Sequence, residues 1–158
     1  MIRGLRVAVA VALALALAGC KSDEVKSAAH QLSWKPPRGV SLSAEHPGGL
    51  SFTGGVELYS IAGAPVPLGE EGQLDTLLLT ALGGAKVEPL PKRISGRLGD
   101  IPAGKVARWV LAGNGQRALH YYLPLKDRYL LISMTTGEAA FGAKESQLDL
   151  SLSSLKIE

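Results

Sequence analysis

Cysteine occurs once in the 158 residues, at position 20, and histidine only three times. A single cysteine excludes an internal disulfide, and three histidines alone do not make up a zinc site. No His-Glu-x-x-His or Cys-x-x-Cys is present, and no serine stands in a Gly-x-Ser-x-Gly elbow. Long hydrophobic runs are missing too, apart from one stretch of twelve residues near the amino terminus. With 20 % of residues charged, the chain cannot be a polytopic membrane protein. What is there is 46 % hydrophobic residues, close to the content of a packed globular domain and too many for a disordered chain. The length fits one domain.

The amino terminus points to a compartment. Arg3 and Arg6 form a short cationic start, and Val7 to Ala18 is unbroken valine, alanine and leucine. As a helix this run would be roughly 18 Å long. A bilayer core is about 30 Å thick, so the run suits the apolar region of a signal peptide rather than a span. It ends in Leu17-Ala18-Gly19-Cys20, which resembles the lipobox of bacterial lipoproteins. The resemblance implies cleavage between Gly19 and Cys20, a diacylglyceryl thioether on the Cys20 sulfur, and acylation of the new amino terminus. Small residues let an extended segment enter the peptidase, and only a thiol makes the thioether. Two or three acyl chains anchor stably where a single myristoyl chain would not. Apart from this covalent lipid no cofactor is expected, and residues 1–19 should stand apart from the folded domain. Lys21 follows the cysteine; in Gram-negative bacteria an aspartate there retains lipoproteins in the inner membrane, so lysine favours the outer membrane of the cell envelope. Cleavage also removes Arg3 and Arg6 and lowers the net charge from +3 to +1. The bulk electrostatic case for nucleic acid goes with them, and an envelope location argues against a nucleotide partner.

Residues 20–36 read as a lipidated tether. Lys21 to His30 is polar and small, with His30 solvated. Together with Gln31 to Lys35 it gives a spacer reaching roughly 50 Å, stiffened at its end by Pro36-Pro37. Residues 37–158 read as a single α+β domain. Short strands are expected over Gly39–Ser43, Leu50–Thr53 and Val56–Ile61, with Pro47-Gly48-Gly49 as a turn beside a solvated His46. Leu74, Leu77, Leu78, Ala81 and Leu82 form an apolar stripe of helical period, with Gly83-Gly84 as the left-handed cap. Strands follow at Arg93–Leu98, Lys105–Ala112, Arg117–Leu123 and Tyr129–Thr135, the middle two joined by an Asn114-Gly115 hairpin signal. Leu130-Leu131-Ile132 does not alternate, as in a central strand covered on both faces. Leu148, Leu150 and Leu152 alternate like a strand, yet Phe141, Leu148, Leu152 and Leu155 share one helical face with only Leu150 off it. The shared face predicts a helix over Ala139–Ser154. The sum is an antiparallel sheet of about six strands with two helices packed on it.

That order resembles the PsbP/Mog-like superfamily, which includes DcrB-like lipoproteins. The matching residues are Pro37-Arg38-Gly39-Val40-Ser41-Leu42, the leucine helix, Val106 to Val110, Tyr129 to Ser133, and the close on Leu152-Ser153-Ser154-Leu155-Lys156-Ile157. The resemblance implies an α/β/α sandwich, no common catalytic residues, and members that act as binding or assembly accessories.

The candidate chemistry is sparse. Gly99-Asp100-Ile101-Pro102-Ala103-Gly104-Lys105-Val106 nearly spells a phosphate loop, but Val106 replaces the magnesium-binding hydroxyl and a strand follows where a helix is needed. Glu70-Glu71 suits a helix amino terminus. His120 lies mid-strand beside Tyr121 and Tyr122, expected half-exposed; as a base it would need an acid and a serine nearby. Lys92, Arg93, Arg97, Lys105 and Arg108 make a basic stretch in which Arg93, Ser95 and Arg97 would share one strand face. This is either a docking surface for anionic headgroups, lipopolysaccharide or an acidic partner, or a sheet edge protected by charge. The function expected is a lipid-anchored, non-enzymatic binding or assembly module with no catalytic or metal residues. The alternatives are an immunity or inhibitor lipoprotein that captures a toxin or lytic enzyme, and an envelope hydrolase using His120.

Overall fold

The computed structural model describes residues 24–158. Gly19, Cys20 and Lys21 lie outside the described residues, and with them the cleavage, lipidation and sorting expectations and the separate segment 1–19. In chain order the strands are β1 Val25–Ser27, β2 Leu32–Trp34, β3 Leu42–His46, β4 Gly49–Phe52, β5 Val56–Ala62, β6 Lys92–Ile101, β7 Gly104–Gly113, β8 Gln116–Pro124, β9 Arg128–Gly137 and β10 Lys156–Ile157. Helix α1 is Leu74–Ala85 and α2 is Phe141–Ser151.

Among the described residues these strands form two antiparallel sheets, a seven-stranded one in the order β3-β4-β5-β9-β8-β7-β6 and a three-stranded one in the order β1-β2-β10. The long hairpins come from local signals. Asn114 (φ 54°) and Gly115 (φ 73°) take the two left-handed positions of a tight β7–β8 turn. The phosphate-loop-like stretch is simply the β6–β7 hairpin, turning at Pro102-Ala103 with no helix behind it. β9 is the fourth of seven strands and apolar on both faces. Leu130, Ile132 and Met134 enter one core, Tyr129 and Leu131 the other.

Each face carries its own layer. On one, the α1 stripe Leu74, Leu77, Leu78, Ala81 and Leu82 packs on Ala107, Trp109, Leu111, Tyr122 and Leu131. On the other, Phe141 and Leu148 of α2, with Leu152 and Leu155, meet Leu50, Leu58, Leu119 and Ile132. Two helices on opposite faces of a large antiparallel sheet make the α+β sandwich expected, with seven strands in the main sheet instead of six.

Several boundaries moved. Residues 25–35, read as tether, are folded. Leu32 and Trp34 have no exposed surface. Trp34 meets Phe52 edge-on at 5.2 Å, and its Nε1 donates to the Ser151 carbonyl at 3.0 Å. His30 is buried as well, its Nε2 2.8 Å from the His46 carbonyl oxygen, while His46 ends β3, exposed. Strands of three residues are too short to display a period, so sequence alone could not reveal them. The first strand after the prolines also starts later, at Leu42, because Gly39 (φ 80°) sits in a turn.

α1 runs through Gly83-Gly84, and its left-handed cap is Lys86 (φ 57°), whose amide donates to Gly83 and Leu82 carbonyls. Gly84 serves close approach instead. A Cβ there would lie 2.1 Å from the Tyr129 hydroxyl, which donates to the Ala81 carbonyl at 2.9 Å. The closing helix is α2 flanked by 3-10 turns at Glu138–Ala140 and Leu152–Ser154, with Leu150 pointing outward.

Candidate functional site

The five cations of the basic stretch do not share a surface. Directly opposed residues of antiparallel strands project to the same face. Arg97 pairs with Arg108, Arg93 with Leu111, and Asp100 with Lys105. The register shifts between Arg93 and Ser95, where Ile94 is the extra residue of a bulge. The bulge turns Arg93 to the α1 face, where it forms an exposed ion pair with Asp75. Arg97 stays on the α2 face, so the face shared by Arg93, Ser95 and Arg97 is corrected. Lys105 also falls on the α1 side, Lys92 on the α2 side.

Arg108 leaves the surface altogether. It is 7 % exposed, and from the sheet it reaches up to α2. Its Nη2 donates to Glu145 Oε1 at 2.5 Å and to Asp149 Oδ2 at 3.2 Å, while Nε donates to the Tyr121 hydroxyl at 2.9 Å. The Tyr121 hydroxyl donates in turn to Asp149. Glu145 and Asp149 are four apart on α2, so one helix face presents both carboxylates to the guanidinium. Burial alone would pull Arg108 down; the bonds to Glu145, Asp149 and Tyr121 outweigh it and hold the cation above its usual range. Burial first, then the bond to Asp149, pushes Tyr121 up to about 12. The cluster fixes α2 on the sheet. Glu145 and Asp149 were not anticipated, although their spacing on a helix was a usable signal.

His120 is not half-exposed; it is 2 % exposed, on the α1 face. Its Nδ1 lies 2.7 Å from Ser133 Oγ, its cross-strand partner. Burial pushes it down to about 4, so the ring is neutral at neutral pH. Trp109 flanks His120 from β7, with a buried Nε1 that has no hydrogen-bond partner among the described residues. Glu57 sits opposite Ser133 on β5, but its Oε2 accepts from Ser51 Oγ at 2.8 Å. A serine, a histidine and an acid therefore do stand in one row across the sheet, with the histidine and its serine sealed from solvent.

The concave surfaces lie elsewhere. A cavity of about 480 Å³ opens between α1 and the 89–91 segment, walled by Leu78, Leu79, Leu90 and two prolines over Leu111, with Asp75 and Arg93 at its rim. One of about 280 Å³ flanks α1 on its other side, against Val66, Pro67 and Leu68. A third, about 120 Å³, has Val40, Val56 and Met134 as its apolar floor and Arg38 and Lys144 beside them. It continues into an open groove of about 350 Å³ between Lys35–Arg38 and the Leu150–Ser154 stretch, where α2 runs into its 3-10 turn. Among the described residues no group of three metal-ligating side chains occurs, and no helix is long and apolar enough to cross a membrane.

No protein-family model matches the chain, and no curated protein does. Solved structures do. The solution structure of cyanobacterial PsbP (CyanoP) from Synechocystis sp. PCC 6803 superposes with a TM-score of 0.58 at 14 % identity, over 85 % of this chain and 91 % of that one. A protein from Bacteroides thetaiotaomicron VPI-5482 aligns at 0.49 and 13 %, over 85 % of this chain and 48 % of its own. The chain has a PsbP-like fold.

Proposed function

We propose that the protein is a lipid-anchored protein of the cell envelope, on the outer membrane where the host has one, that works as a non-enzymatic binding or assembly accessory. The observation that carries this reading is the placement of polar chemistry against open surface. The Ser133–His120 pair is interior and its histidine neutral, whereas the two concavities beside α1 are walled mainly by aliphatic and proline side chains. Such walls hold a partner by burial. The Leu17–Cys20 sequence supplies the anchor, and the fold it shares with CyanoP is consistent with an accessory role.

Two measurements test it. Cells fed an alkyne palmitate should label the wild type, and Cys20→Ala should abolish the label; an unlabelled wild type overturns the anchor. A fluorophosphonate probe should leave Ser133 untouched in membranes. Labelling that Ser133→Ala or His120→Gln removes would make the protein a hydrolase.

A further inference from the structure

The geometry points to a direct contact with the membrane surface. We propose that the groove between Lys35–Arg38 and α2 docks on anionic phospholipid headgroups, with Leu150 entering the interface and Lys35, Arg38 and Lys144 binding phosphates. This inference rests on lipidation of Cys20.

The leash is short. Val25 begins β1 and stands five residues after Cys20, so the leash spans at most about 18 Å. That is far short of the tether the sequence suggested, and it holds the domain against the lipid. It also leaves the fold in one direction. Val25 pairs with Trp34, within about 5 Å of it, and Lys35 is the next residue. Trp34 Nε1 and the Lys35 amide bond to the Ser151 carbonyl and Ser154 Oγ, so the leash leaves the fold at the groove, by the end of α2.

Leu150 is 75 % exposed, the most exposed large hydrophobic side chain among the described residues. Lys144, Gln147 and Leu150 follow one another three apart along one side of α2. None of Lys35, Arg38 and Lys144 has an ion pair among the described residues. The α2 acids Glu145 and Asp149, meanwhile, are turned inward by Arg108. What faces the lipid is an apolar tip beside Lys35 and Arg38, with Lys144 further back along the helix, three cations without an ion pair among the described residues and the complement of an anionic interface.

The test uses the full lipidated protein carrying Gln147→Cys. With Cys20 acylated, the new thiol is the one available to an environment-sensitive NBD dye. Leu79→Cys on α1, in the opposite layer, is the control. In phosphatidylcholine vesicles containing phosphatidylglycerol, the dye at 147 should brighten several-fold and the dye at 79 should not. The rise should vanish in pure phosphatidylcholine, and in Lys35→Glu/Arg38→Glu/Lys144→Glu, which should still float with the vesicles and melt at the wild-type temperature. A protein that floats with its dye at 147 as dim as that at 79 overturns the docking and leaves the anchor standing. A protein that fails to float and carries a free Cys20 thiol overturns the anchor, and the docking with it.

Discussion

Arg108 and His120 are buried polar residues on neighbouring strands, and they answer desolvation in opposite ways. Arg108 keeps its charge because two carboxylates and a hydroxyl replace the lost water. Truncating it leaves Glu145 and Asp149 facing a hole without a cation. Arg108→Met should cost about 3 kcal/mol, the lower end for a broken buried pair because both acids are partly exposed. Arg117→Met, which removes an exposed pair with Glu138, should cost under about 1 kcal/mol. Urea midpoints measure both.

His120 gives its charge up. Its unfolded value is the usual 6.5 and its folded value about 4. Below pH 6.5 the unfolded chain binds a proton that the native state refuses, so this residue destabilises the fold progressively as pH falls, down to about pH 4. The loss at pH 4 is on the order of 3 kcal/mol. His120→Gln should show a flatter fall in stability than the wild type between pH 7 and 4.5; parallel curves would refute the assignment. None of this could be read from the histidine's place in the sequence. Strand position was legible, but burial was not, since α1, Leu74–Ala85, covers that face from far back in the chain.

At the level of elements, the two adjacent glycines of α1 make opposite predictions. Gly83 has open space where a Cβ would go, so Gly83→Ala should gain up to about 1 kcal/mol of helix stability. Gly84→Ala drives a methyl into the Tyr129 hydroxyl and breaks its bond to Ala81, at a cost of about 1–2 kcal/mol. Thermal melts of the two variants should move in opposite directions. The sequence marked both as a helix stop, because a Gly-Gly pair after a leucine stripe usually is one. The bulge at Ile94 was hidden for a related reason. Nothing in Lys92 to Leu98 distinguishes an extra residue from a regular one, yet that residue decides that Arg93 and Arg97 part company.

Across the whole molecule, the amino-terminal strands close the second core. Trp34 packs on Phe52 and bonds to Ser151, and β10 joins β2 at the far end of the chain. A protein begun at Pro37, where the sequence pattern starts the domain, lacks Leu32 and Trp34 and exposes the faces they cover. Losing one buried tryptophan alone costs about 3–5 kcal/mol. That truncation should show no cooperative unfolding by circular dichroism, whereas Trp34→Phe should keep the transition at a lower midpoint.

The sequence by itself determined the consecutive strands β7 to β9, the central place of β9 and the apolar faces of both helices. Those features depend on neighbours a few residues away, through period, turn chemistry and the left-handed freedom of Asn114-Gly115. Only the tertiary structure decided where the domain begins, which way Arg93 and Arg97 face, and that His30 and His120 are dry. Each of these depends on a partner distant in the chain, as Trp34 does on Ser151, 117 residues on. Local pattern carries no record of such a partner.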